Sequence, residues 1–369
     1  MKRRFDEKAQ GEKLFLSNAL LKTYYLAKPV IPRTLQLALR RNLALWIRRR
    51  KKNSWPIAAE SYASPPNWNG WQDNKPFCLI LTHDVDTAKG YFAHYKLLEI
   101  EKEMGFVSSF NFVPERYPLN PADLQKVQAA GFEIGVHGLN HDGKLFQSKQ
   151  IFFQRAVKIN EYLEKWNSVG FRAPSMHHDL DLIKHLNIQY DASTFDTDPF
   201  EPQADGVHTI FPFPVFDDNQ NLCFWELPYT LAQDFTLFII LRERSIDNWR
   251  KKLDWIVKNR GMALLNTHPD YMNFESRRSG TEEYPVQHYR DFLRYVQNRY
   301  GDSLWNPTPK QMVEFLQKRY TDAGNPYRIS KTIQATPENA KKTNNITYLQ
   351  GLSGRHTKRG QDQSRGKSG

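Results

Sequence analysis

The sequence predicts an α/β fold in which short buried strands alternate with helices in parallel βα units. Three observations predict it. From residue 77 to residue 270, apolar runs of strand length recur with helical patterns between them. Gly105, Gly131 and Gly261 stand where those helical patterns stop, a place where glycine ends helices cheaply. Four short polar motifs each close an apolar run, as expected where parallel strands carry their C-terminal ends to one face.

Taken in order, strands are expected at 77–83, 108–113, 133–137, 169–173, 188–193 and 262–268. Helices are expected near 89–104, 121–130, 146–166, 179–186 and 247–259, with Asn120-Pro121 as a start signal for the second. Residues 207–230 break the alternation. Two apolar segments flank Asp217-Asp-Asn-Gln-Asn221, which reads as an antiparallel hairpin inserted into the α/β core. Residues 285–300 and 309–320 read as closing helices, with Trp305 and Pro307 packing the last of them.

The two ends differ from the body. The chain of 369 residues has a net charge of +12. Residues 1–53 carry 15 Lys/Arg against 3 Asp/Glu, residues 321–369 carry 9 against 3, and the stretch 54–320 carries 28 against 34. A basic balance confined to the ends is no nucleic-acid footprint on the body, and no nucleic-acid partner is expected. Within 1–53, Leu35, Leu39, Leu43, Trp46 and Ile47 recur at helical spacing among Arg40, Arg41, Arg48, Arg49 and Arg50. Two readings stay open there: an interfacial helix in peripheral contact with an anionic membrane, or a helix docked on the body. Residues 54–76 read as a linker wrapping the body, and the polar tail 321–369 as disordered. The two cysteines, Cys78 and Cys223, make no disulfide framework, and Cys78 falls in a core run. No window approaches the roughly 18 apolar residues of a membrane span, nor is there a secretory apolar segment, so the expected compartment is the cytoplasm, peripheral to the inner membrane if the helix binds it.

The motifs carry the chemistry. Asp84 and Asp86, in Thr82-His-Asp-Val-Asp86, alternate at a strand end and face one side. Two adjacent carboxylates repel unless a cation lies between them, and a metal on one leaves the other free as a base. His137 and His141 have i, i+4 spacing, so a helix directly after the strand would put both imidazoles on one face. Two His and one carboxylate suit Zn²⁺, and equally Co²⁺, Fe²⁺ or Mn²⁺. Arg172, before Ala173-Pro174, can hold a carboxylate ionised. His268, before Pro269-Asp270, can protonate a leaving group. His83, His177 and His178 lie near these strand ends as outer or substrate-facing candidates, with a structural role as the favoured alternative. Asp191 or Asp196 could anchor the Arg or shape the pocket, and Trp225 and Glu226 could touch a sugar ring or equally be core and edge residues.

These residues resemble the polysaccharide deacetylase (NodB-homology) domain of carbohydrate esterase family 4, over about residues 77–320. The resemblance implies a distorted (β/α) barrel with fewer than eight strands. It implies Asp84 as base, Asp86, His137 and His141 as metal ligands, Arg172 as the tether of the base, and His268 as acid. Val85 separates two aspartates that the family usually places side by side, and Ser175 replaces the usual glycine after Pro174. The first motif is similar to deacetylase-like proteins of surface-polysaccharide or lipopolysaccharide assembly, and to relatives that open cyclic amides. The implied activity is metal-dependent removal of an N-acetyl group from a nucleotide-linked, lipid-linked or oligomeric sugar. Hydrolysis of another linear or cyclic amide, and an inactive carbohydrate-binding or membrane-associated scaffold, are the alternatives.

Overall fold

Phe77–Val85 (β1) is buried along its whole length. A run of Phe, Cys, Leu and Ile must be so placed when a parallel strand has both faces covered. The computed structural model describes residues 32–65, 68–275 and 279–322, so the expectations for the first 31 residues and for the tail beyond 322 lie outside the described residues. β1 is followed by β2 (Ser109–Phe112), β3 (Glu133–His137), β4 (Gly170–Arg172) and β5 (Tyr190–Asp191). Then come β6 (Phe213–Phe216), β7 (Leu222–Glu226) and β8 (Met262–Thr267). The short pieces β9 (Met272–Asn273), β10 (Tyr284–Pro285) and β11 (Leu304–Trp305) complete the strands.

β1 lies between β2 and β8, with Asp84 opposite Asn111 and His83 opposite Thr267. From β2 the sheet continues through β3, β4, β5 and β7, all parallel, and curls back on itself. Leu231 bridges Leu265 of β8, and Thr230 N–H donates to Leu264 O at 3.0 Å. These bonds bring the far side of the sheet to β8 and make a distorted barrel of the expected kind. The 207–230 segment forms the expected antiparallel pair, β6 with β7. Within the core, β7 also pairs in parallel with β5 and supplies a barrel strand.

The helices follow the sequence pattern, and their starts explain themselves. Thr87 caps α2 (Ala88–Glu103), Asn120 caps α3 (Pro121–Ala129), and Ser148 caps α4 (Lys149–Lys165), each by accepting an orphan N–H. Gly105 and Gly131 end α2 and α3 at φ 71° and 89°. The 179–186 helix shrinks to α5 (Leu180–Ile183), and the 188–193 strand to β5. α6 (Asp247–Lys258), α7 (Gln287–Tyr300) and α8 (Pro309–Asp322) complete the layer. Trp305 packs edge-on against Phe315 of α8 at 4.9 Å, as expected. A six-residue π-helical stretch, Phe235–Ile240, was not legible as such.

Arg33–Arg50 forms α1. It lies against the π-helical stretch: Arg41 donates to Ile240 O at 3.0 Å and Ile239 O at 3.1 Å, Arg33 pairs with Glu282 at 2.7 Å, and Arg48 pairs with Glu243. The stretch after α1 packs on the body, with Trp55 and Trp71 buried and Trp71 Nε1–H donating to Arg260 O at 2.8 Å. Among the described residues, no helix is long and apolar enough to cross a membrane.

Candidate metal centre

Asp84 in β1 and Asp86 just past its end, His137 ending β3, Arg172 ending β4 and His268 just past β8 gather at the C-terminal ends of parallel strands. This is where ligands collect in such folds. The ligand atoms of Asp86, His137 and His141 all lie within 4.8 Å of one another. Asp86 Oδ1 is 3.3 Å from His137 Nε2 and 3.0 Å from His141 Nε2. That oxygen is buried and receives no well-formed hydrogen bond. A buried carboxylate oxygen facing two imidazole nitrogens without a donated proton fits a cation better than it fits a hydrogen-bond network.

The tautomers agree with that reading. His137 Nδ1 lies 3.0 Å from Arg172 O, and a carbonyl only accepts, so Nδ1 carries the hydrogen and Nε2 presents its lone pair. Burial pushes Asp86 upward, but His141 and His137 more than offset it and hold the carboxyl well below the usual range. His141 is pushed down by burial, and the Asp86 charge raises it on balance.

No helix starts directly after β3, the next being α4 at Lys149, so the expected helical face for His137 and His141 does not exist. The chain instead leaves the strand through Gly138 at φ 61° and reaches His141 at φ 54°. A Cβ on Gly138 would stand 2.6 Å from the Pro174 ring, so only glycine allows the loop to pass there. Ser175 adopts φ 57°, the left-handed conformation that explains why glycine is usual at that place in the resembling family.

Asp84 is held from three sides. Asn111 Nδ2 donates to its Oδ1 at 2.8 Å, Asn266 Nδ2 to its Oδ2 at 2.8 Å, and Arg172 Nη1 stands 3.3 Å from Oδ1. Arg172 is fully buried and braced by Thr82 Oγ1 and Ala192 O, both at 2.8 Å. Asp84 Oδ2 faces His137 Nε2 and His268 Nε2, each at 3.9 Å. Burial would raise Asp84, but His137, Arg172 and His268 outweigh it and bring it down to about 2.

His268 Nδ1 pairs with Asp234 Oδ1 at 2.7 Å, and Asp234 Oδ2 also receives His268 N–H at 2.8 Å and Tyr284 O–H at 3.0 Å. Burial lowers the His268 pKa, yet Asp234, then Asp86 and Asp84, raise it to about 10. Asp270 fixes the backbone of the first motif. It accepts Asp86 N–H at 3.0 Å, Thr87 N–H at 2.9 Å and Gly90 N–H at 3.2 Å.

The structure decides between several open alternatives. Asp191 is bound by Ser193 and Asp196 pairs with Lys252, so neither anchors Arg172. Trp225 and Glu226 are fully buried in β7 and cannot touch a sugar, because β7 is a barrel strand with both faces covered. His83 turns inward to Thr267 Oγ1 at 2.7 Å and Glu101 Oε1 at 2.8 Å, a structural role. His178 lies against Met176 O at 3.0 Å, and burial lowers the half-buried His177. Sequence reasoning missed Asn111, Asn266 and Asp234. The polar break in Phe110-Asn111-Phe112 was a usable signal for the first, while Asp234 offered none.

The curled, mostly parallel sheet is a NodB-like distorted barrel with a candidate metal centre at its rim. No protein-family profile matches the sequence, and no curated protein matches it. Three solved structures are similar at a TM-score of 0.53. One, described as a polysaccharide deacetylase from Mycobacterium smegmatis, is 20% identical over 70% of this chain and 94% of its own. Another is Puue allantoinase, 13% identical over 72% of this chain and 98% of its own. The third, described as a polysaccharide deacetylase from Pseudomonas aeruginosa PAO1, is 13% identical over 70% of this chain and 95% of its own. At these identities the likeness is one of fold.

Proposed function

We propose that the chain is a metal-dependent hydrolase that removes an N-acetyl group from a sugar. The observation that carries this reading is the Asp86, His137 and His141 cluster, with Asp84 and His268 facing each other beside it. Zn²⁺ is the proposed occupant, and Co²⁺, Fe²⁺ and Mn²⁺ suit the same two nitrogens and one oxygen. When bound, the metal would supply Lewis-acid polarisation of a water and of the amide carbonyl.

The chain's own residues do the rest. Asp84, kept anionic and fixed by Arg172, Asn111 and Asn266, accepts the proton of the attacking water at Oδ2. His268, with Nδ1 held by Asp234, keeps a proton on Nε2 for the departing amine nitrogen. The products are acetate and a free amino sugar. The deacetylase descriptions of two similar structures support this choice of bond.

The likeness to an allantoinase at the same TM-score favours a second reading, hydrolysis of a cyclic amide. Acetate release separates the two. Metal-loaded protein is expected to release acetate from N-acetylated sugars, and His268→Ala to lower kcat by about 10²–10⁴-fold with metal content unchanged. Ring opening of a cyclic amide without any acetate release from N-acetylated sugars would select the second reading. An absence of metal binding would leave an inactive scaffold.

A further inference from the structure

The helix α1 is apolar on two opposite sides. One side, with Leu37 and Ala44 buried and Arg41 and Arg48 bonded to the body, is already used. The other carries Leu35, Leu39 and Leu43, which are 50%, 48% and 40% exposed. Their i, i+4, i+8 spacing makes them one stripe. Trp46 continues the stripe at the next helical step and lies under the Arg50 guanidinium at 4.1 Å. Arg49, Arg50, Lys51 and Lys52, all exposed, crowd its end. Packing on the body accounts for one side of α1, reaches Leu43 at the edge of a cleft with Phe200 and Ile240, and leaves Leu35 and Leu39 unexplained.

We infer that the outer face of α1 docks on an anionic lipid surface. A stripe of leucines closed by a tryptophan and a cluster of cations is the pattern of a helix lying in a membrane interface, with its apolar side chains among the acyl chains and its cations at the headgroups. A second copy of this chain is a poor occupant, because an antiparallel two-fold contact would cover the leucines and leave the cations at the end of α1 facing a first turn without acidic residues. A nucleic acid would use the cations and leave the leucines idle.

The placement relative to the metal centre adds meaning. Arg40 of α1 lies over the Phe235 ring at 5.1 Å, Phe235 packs on Tyr271 at 4.9 Å, and Tyr271 packs on His268 at 5.2 Å. Lipid docking would therefore bring the acid side of the centre to within a few side chains of the membrane. The inference rests on α1 alone and does not depend on the chemistry of the centre.

Flotation of the full chain with vesicles tests it. The chain is expected to float with phosphatidylcholine vesicles containing 30% phosphatidylglycerol and to stay behind with pure phosphatidylcholine. The Leu35→Glu, Leu39→Glu, Leu43→Glu variant should lose binding, and Arg49→Ser with Arg50→Ser should weaken it about twenty-five-fold, at roughly fivefold per cation. Circular dichroism and metal content check that both variants remain folded. Should the triple variant fail that check, the serine variant alone decides. A parent that ignores anionic vesicles, or folded variants that float as well as the parent, would overturn the inference. So would a dimer of the parent that the leucine substitutions dissociate.

Discussion

Asp84 has both carboxylate oxygens tied by side-chain amides, Asn111 on one and Asn266 on the other, and a buried Arg172 beside them. Three donors fix its orientation as well as its charge, so a loss of one should loosen the base without touching the Asp86 ligand set. Asn266→Ala is expected to lower kcat about tenfold or more while metal content and KM stay near the parent's, which steady-state kinetics with elemental analysis will show. Asp234 acts on the opposite partner. Because its charge holds the His268 pKa up near 10, the protonated acid persists through neutral pH and is lost only as pH rises through that value. Asp234→Asn should move the alkaline fall of kcat to lower pH and reduce the plateau, as a pH–rate profile would reveal. Asp84, Asp86, His137, Arg172 and His268 were legible because each ends an apolar run. Asp234 was not, because what gives it a role is contact with a residue 34 positions away, at the start of a π-helical stretch that no periodicity announces.

At the level of elements, the ends of β1 and β8 are joined through Asp270, which accepts three backbone N–H groups around the start of α2. That carboxylate sits where a Cβ on Gly90 would be, 2.0 Å from Oδ2. Gly90→Ala is therefore expected to cost about 1–3 kcal/mol of stability and to disturb the Asp86 backbone, measurable by denaturant unfolding and by metal affinity. Gly135→Ala would put a Cβ 2.0 Å from Asn111 Oδ1 and is expected to disturb the Asn111–Asp84 hydrogen bond while leaving this joint intact. The longer elements were readable from pattern and caps. The short ones were not: α5 and β5 are set by what they pack against, and the loop carrying His141 bends through left-handed residues that i, i+4 spacing cannot distinguish from a helix.

For the whole molecule, α1 is joined to the acidic body by specific contacts. Arg41 donates to two consecutive carbonyls at the end of the π-helical stretch, whose first turn adjoins Asp234. Arg41→Ala leaves those carbonyls without that donor and is expected to lower stability by about 1.5–3 kcal/mol in denaturant unfolding. The barrel and the side of the rim that carries the centre followed from the order of strands and motifs, whereas the curl of β7 into the barrel depended on a pairing with β5 that the intervening hairpin concealed. All of these levels converge on one chemical claim, that Asp86, His137 and His141 hold a divalent metal. Elemental analysis of the purified parent, His137→Ala and His268→Ala tests it most directly. About one equivalent of metal in the parent and in His268→Ala, with almost none in His137→Ala, is the expected result. A parent that stays metal-free after exposure to Zn²⁺, Co²⁺, Fe²⁺ and Mn²⁺, or a His137→Ala protein with the parent's metal content, would contradict the account.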